Sequence, residues 1–118
     1  QFGKPIGSFQ GLQFMISDMK MKLEAAQLLV WQAARELERS PNDRSNRINS
    51  SMAKCYATDA AMAITTDAVQ LLGGAGYIKE YEVERLMRDA KITQIYEGTS
   101  EVQRIVISRD VLKGNLYR

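Results

Sequence analysis

Leu12, Ile16, Met19, Leu23, Ala26, Val30, Ala33 and Leu37 recur at alternating steps of four and three residues. That spacing lines one face of a helix turning once every 3.6 residues. Nowhere does the chain show an alternating apolar and polar stretch long enough for a sheet, so the fold class expected is all-α. The first helix should stop near Ser40, because Pro41 disfavours helical geometry in its predecessor and Asn42 and Asp43 supply turn chemistry.

A second helix is expected from about Arg47 to Leu72. It carries two stripes, Ile48, Met52, Cys55, Met62 and Val69 on one side and Ala53, Ala57, Ala60, Ile64 and Leu71 on another. Such a helix is buried on two faces and therefore central. Gly73-Gly74-Ala75-Gly76 ends it, and a loop to about Glu80 follows. Val83, Leu86, Met87 and Ala90 mark a third helix that fades near Thr93. Arg88 and Asp89 read there as a structural ion pair. After the connection Ile95 to Ser100, Ser100 and Gln103 form a capping box for a last helix whose apolar side is Val102, Ile105, Val106 and Leu112. Four helices with short connections predict an up-down-up-down four-helix bundle, one domain over residues 1–118. The opening Gly3-Lys4-Pro5-Ile6-Gly7 directly after Gln1 leads us to expect a piece of a longer protein.

Lys and Arg exceed Asp and Glu by two, and the charges are scattered, so neither nucleic acid nor an anionic membrane surface is an expected partner. No apolar run is long enough to span a bilayer. The lone Cys55 reads as a buried structural thiol, and the absence of His speaks against metal sites and His-based triads. Trp31 and the methionines, at helical spacing, read as core.

Glu97 is the acid of most interest. It sits between helices, after the apolar pair Ile95 and Tyr96 and before Gly98, where apolar neighbours could desolvate it and make it a stronger base. The alternative is that it only favours the positive end of the following helix. The glycines at 73, 74 and 76 are open in the same way: helix-ending caps, or a place where a phosphate or ring comes close.

The chain resembles the acyl-CoA dehydrogenase family through four ordered blocks running from the first residues to about Gly114: Gln1-Phe2-Gly3-Lys4-Pro5-Ile6, Gln70-Leu71-Leu72-Gly73-Gly74-Ala75-Gly76-Tyr77, Met87-Arg88-Asp89-Ala90-Lys91-Ile92, and Gln94-Ile95-Tyr96-Glu97-Gly98-Thr99-Ser100-Glu101-Val102-Gln103-Arg104. The resemblance implies the C-terminal helical domain of an FAD enzyme. In that chemistry a carboxylate removes the α-proton of an acyl-CoA thioester, while the β-hydrogen leaves as hydride to the flavin, giving the trans-2-enoyl-CoA. The family's base falls on Glu97, whose backbone N–H also serves the developing enolate oxygen.

By the same resemblance, Gly98 borders the thioester and Tyr96 lines the acyl pocket. Thr99 and Glu101 lie near the flavin's phosphates and ribose, with helix capping as their alternative. Gln1, Phe2, Gln10, Gln70, Gly73 and Gly74 reach FAD bound mainly by a neighbouring subunit, which implies a homodimer or homotetramer. Arg109 matches a substrate-pocket arginine, or else is a surface one. Electron transfer flavoprotein is the implied electron acceptor, and the compartment is cytoplasmic, or the mitochondrial matrix in a eukaryote. The family's N-terminal helical and middle β domains are not in this sequence, so the isolated chain is expected to be inactive. An acyl-CoA oxidase-like relative and a non-catalytic oligomerisation module are the rival readings.

Overall fold

The computed structural model describes residues 1–113; Gly114, where the resemblance ends, lies outside them. Helix α1 spans Gln10–Arg39 and α2 spans Asn46–Leu72. A one-turn α3 over Gly74–Tyr77 and a 3-10 turn over Lys79–Tyr81 lead into α4, Val83–Thr93, and then α5, Ser100–Leu112. The described residues contain no strand, as the missing alternation requires. None of their helices is long and apolar enough to cross a membrane.

The first helix ends where Pro41 demands, with Ser40 as its C-terminal cap. The second ends at Gly73, whose φ of 58° and ψ of −137° suit only glycine. Gly76 then packs so tightly on α2 that an added Cβ would stand 2.6 Å from the Val69 carbonyl oxygen. The expected loop before residue 80 is therefore two tight turns.

Helix α2 is the central element: α1, α4 and α5 each pack on it and none packs on another. Its small residues make this possible, because Ser51, Ala53, Cys55 and Ala60 are buried where neighbours approach. Cys55 is the buried thiol expected of it, and burial pushes its pKa up. Lys22 on α1 lies 3.9 Å from Asp67 on α2, a partly exposed ion pair.

Two expectations about packing fail. Trp31 is 61% exposed and so is no core residue of this chain. Arg88 and Asp89 do not pair, because adjacent helical residues point in different directions. Instead Arg88 pairs with Glu84 at 2.8 Å and Asp89 with Arg85 at 2.9 Å, each one turn away.

Candidate active site

The segment between α4 and α5 turns back on itself. The N–H groups of Ile95 and Tyr96 donate to the Ile92 carbonyl, and the Ser100 N–H donates to the Gln94 carbonyl at 3.0 Å, closing the loop at its base. At its tip Glu97 has φ 54° and Gly98 φ 90°. The left-handed region is unfavourable for a residue with a Cβ, so Glu97 stays there only because surrounding contacts fix it. Gln103 Nε2 donates to the carbonyls of Glu97 and Gly98 at 3.2 and 3.3 Å. Lys54 Nζ, from α2, donates to the Gly98 carbonyl at 2.6 Å. Among the described residues, none accepts the Glu97 N–H.

The cap of α5 differs from the expected one. Thr99, not Ser100, is the N-cap, its hydroxyl accepting from the Val102 N–H at 3.2 Å. Ser100 is the first helical residue, and its hydroxyl crosses to α2. There the Asp59 carboxylate receives three donors: Ser100 Oγ at 3.0 Å, Gln94 Nε2 at 2.8 Å and Arg104 Nη2 at 2.6 Å. Burial pushes the Asp59 carboxyl up, but the hydrogen bonds from Arg104, Gln94 and Ser100 together outweigh it and leave its pKa lowered. Cys55 Sγ adds a contact to the Ser100 carbonyl at 3.7 Å. Asp59 thus fixes both ends of the loop to the central helix.

Sequence reasoning missed Lys54 and Asp59, and read Gln103 only as a capping partner. It also left open that Ile95 and Tyr96 desolvate Glu97. In this chain Glu97 is exposed, and Ile95 and Tyr96 are about half exposed at 49% and 52%. The two apolar side chains sit on the surface beside the acid, so anything that desolvates Glu97 must come from outside the described residues.

The remaining candidates fall into three places. Tyr96, Glu97, Gly98, Thr99 and Glu101 share the α5 end of the loop. There a polar hollow of about 340 Å³ is lined by Lys91, Gln94, Thr99, Glu101 and Arg104 among others. The start of α1 packs beside the end of α2, where Ile6, Leu12 and Ile16 line a small hollow with Ala68, Leu71 and Leu72. That brings Gln10, Gln70, Gly73 and Gly74 to one end of the molecule. Phe2 joins them by an edge-on contact with Phe9, ring centres 5.7 Å apart, and Gln1 precedes it. This end lies roughly 20 Å along α2 from Asp59, at 1.5 Å per helical residue. Arg109 is separate again, roughly 15 Å down α5 from Thr99, in a groove with Asp43, Arg44 and Arg47.

The residues near the loop suit a dinucleotide. The positive end of the α5 dipole faces this hollow and favours an anion such as a phosphate there. Glu101 is held ionised by its own backbone N–H and the Thr99 hydroxyl, and can accept from ribose hydroxyls. At the other end, a Cβ added at Gly73 or Gly74 would meet nothing within 4 Å, so that backbone is open to a ring or phosphate. No group of three or more metal-ligating side chains occurs among the described residues.

The described residues thus form an all-α domain with a strained acidic loop beside a helix N-terminus. The family model described as "Acyl-CoA dehydrogenase, C-terminal domain" matches residues 1–112, and the chain belongs to that family. It is 57% identical over 113 residues to a protein of Mycobacterium tuberculosis called a probable acyl-CoA dehydrogenase, covering 96% of this chain and 28% of that relative. Butyryl-CoA dehydrogenase from Megasphaera elsdenii has a similar structure, with a TM-score of 0.87 and 50% identity over 95% of this chain and 28% of that one. A chain solved in work on the electron transferring flavoprotein of Acidaminococcus fermentans and flavin-based electron bifurcation has a TM-score of 0.88 and 55% identity. It covers 96% of this chain and 29% of that one. The chain thus spans less than a third of the length of the curated relatives it matches.

Proposed function

We propose that this domain provides the catalytic base of an FAD-dependent acyl-CoA dehydrogenase, acting within a longer chain. The observation that carries the reading is the conformation of one loop. Glu97 is held in the left-handed region with its carbonyl bonded by Gln103 and with no acceptor for its own N–H among the described residues.

An ordinary thioester α-proton is too weak an acid for a carboxylate to remove unaided, so the developing enolate oxygen needs a donor. The unengaged N–H of Glu97 is such a donor, while its carboxylate takes the proton. One residue then serves through side chain and main chain. Gly98 keeps the backbone low beside the thioester, and Tyr96, already half exposed, offers an apolar wall to the acyl chain. Thr99 and Glu101 hold the phosphate and ribose of one cofactor. Bound FAD supplies the acceptor for the β-hydride.

Gln1, Phe2, Gln10, Gln70, Gly73 and Gly74 lie at the other end of α2, roughly 20 Å from Asp59, and the family resemblance has them meet the cofactor of a neighbouring subunit in a homodimer or homotetramer. Arg109, in its separate groove, would meet a part of the substrate remote from the thioester. Electron transfer flavoprotein is the proposed acceptor, in the cytoplasm or, in a eukaryote, the mitochondrial matrix.

Glu97→Gln in the full-length enzyme tests the assignment. FAD should stay bound, and anaerobic mixing with acyl-CoA should no longer bleach the flavin, since an amide cannot take the proton. Reduction at the unsubstituted rate would refute it.

A further inference from the structure

The loop that carries Glu97 is anchored differently at its ends and at its tip. Asp59 secures the ends through Gln94 and Ser100. At the tip, the Glu97 carboxylate makes no ion pair among the described residues, so its direction depends on the backbone. At Glu97 that backbone holds φ 54°, unfavourable for a residue with a Cβ, and releasing the tip would let it leave the left-handed region, swinging the carboxylate and the N–H away together.

Two donors oppose the release. Gln103 sits only six residues beyond Glu97 on α5 and bonds at 3.2 and 3.3 Å, near the long end of the range. Lys54 is on α2, 44 residues away in sequence, and bonds the Gly98 carbonyl at 2.6 Å, a short charge-assisted contact. Lys54 is half-buried and pairs with no carboxylate among the described residues. A partly buried ammonium is costly unless bonded, and here its bond goes to the peptide following the acid.

We propose that Lys54 is a positioning residue: its ammonium ties the loop tip to the central helix and so aims both the carboxylate and the N–H of Glu97. This rests on the reading of Glu97 as the base.

The test uses the full-length, FAD-loaded enzyme, mixed anaerobically with acyl-CoA. It separates the limiting rate of flavin reduction from the substrate Kd. Lys54→Met keeps the stem and loses the donor. Its limiting rate should fall about 10- to 100-fold, as expected for a sub-ångström to 1 Å misplacement, with FAD content and Kd unchanged. Lys54→Arg, which restores a charged donor, should recover most of the rate. An unsubstituted rate in FAD-replete Lys54→Met overturns the proposal, and so does a Lys54→Arg enzyme as slow as Lys54→Met. Should Lys54→Met fail to retain FAD, Lys54→Leu, which also lacks a donor, replaces it: a slow rate supports the role and a full rate overturns it. Glu97→Gln, run alongside, separates the two ideas. If it still reduces flavin, the base reading fails; if it does not while Lys54→Met runs at full rate, only the role of Lys54 fails.

Discussion

Asp59 accepts from Gln94, Ser100 and Arg104, and each bond of this kind adds about 1 kcal/mol when its partner is not left stranded. Asp59→Ala should therefore destabilise the enzyme by about 1–3 kcal/mol in a denaturant titration. The pH dependence follows from the lowered pKa of the carboxyl. A depressed folded-state value adds stability that is present above the unfolded pKa, about 3.9, and is lost as pH falls through the folded value. The unfolding free energy of the unsubstituted protein should thus decline below about pH 4 more steeply than that of Asp59→Asn. Gly98→Ala combines φ 90° with a Cβ 2.7 Å from Gln103 Nε2. The flavin-reduction rate should fall on the order of 100-fold, with FAD retained.

Glu97 and Gly98 were legible because an acid and a glycine stand together between two periodic segments. Lys54 and Asp59 were not, because their partners lie 35 to 45 residues away, and a lysine or aspartate in a helix looks like any solvated charge. Whether Ile95 and Tyr96 shield the acid was open for a related reason: sequence proximity shows which side chains are near it, not whether anything covers them, and both are about half exposed.

Among the elements, the two long helices were read to within a few residues, since Pro41 and Gly73 impose their ends chemically. The Gly73 to Gly76 cluster illustrates what sequence leaves open. Gly73 ends α2 through its dihedrals, whereas Gly76 is needed for close packing, and composition does not distinguish the two. Gly76→Ala would drive a Cβ to 2.6 Å from the Val69 carbonyl, against backbone that cannot swing aside. A loss of about 1–3 kcal/mol is expected, the usual cost of overpacking, measured as a lowered midpoint in thermal or urea unfolding. Gly74→Ala, with nothing within 4 Å of the new Cβ, should cost far less in the same assay. The α5 cap moved by one residue because Ser100 had a better use for its hydroxyl on Asp59.

As a whole the molecule is an open array around α2. Its radius of gyration is 18.1 Å, against roughly 13–14 Å for a compact domain of this length, and among the described residues no large side chain is fully buried. The stripe from Leu12 to Leu37 was visible in the sequence. Phe14, Met21 and Leu28, a second stripe at seven-residue steps, are each about 60% exposed and were overlooked because the first stripe already accounted for the helix. Apolar area of this kind is characteristic of surfaces made to be covered. The isolated chain should therefore associate at micromolar concentration, seen as a mass above 13.3 kDa by light scattering. A sharply cooperative, strictly monomeric chain would contradict this.

The roughly 20 Å of α2 that separates Asp59 from the glycine end has a genetic corollary on the function proposed above. Each copy would complete its own reaction centre with one end and help furnish another's with the opposite end. Two crippled alleles, one lacking the Glu97 carboxylate and one with Gly73 blocked, could then rescue each other when co-expressed, because a mixed assembly pairs an intact acid with an intact glycine in some of its centres.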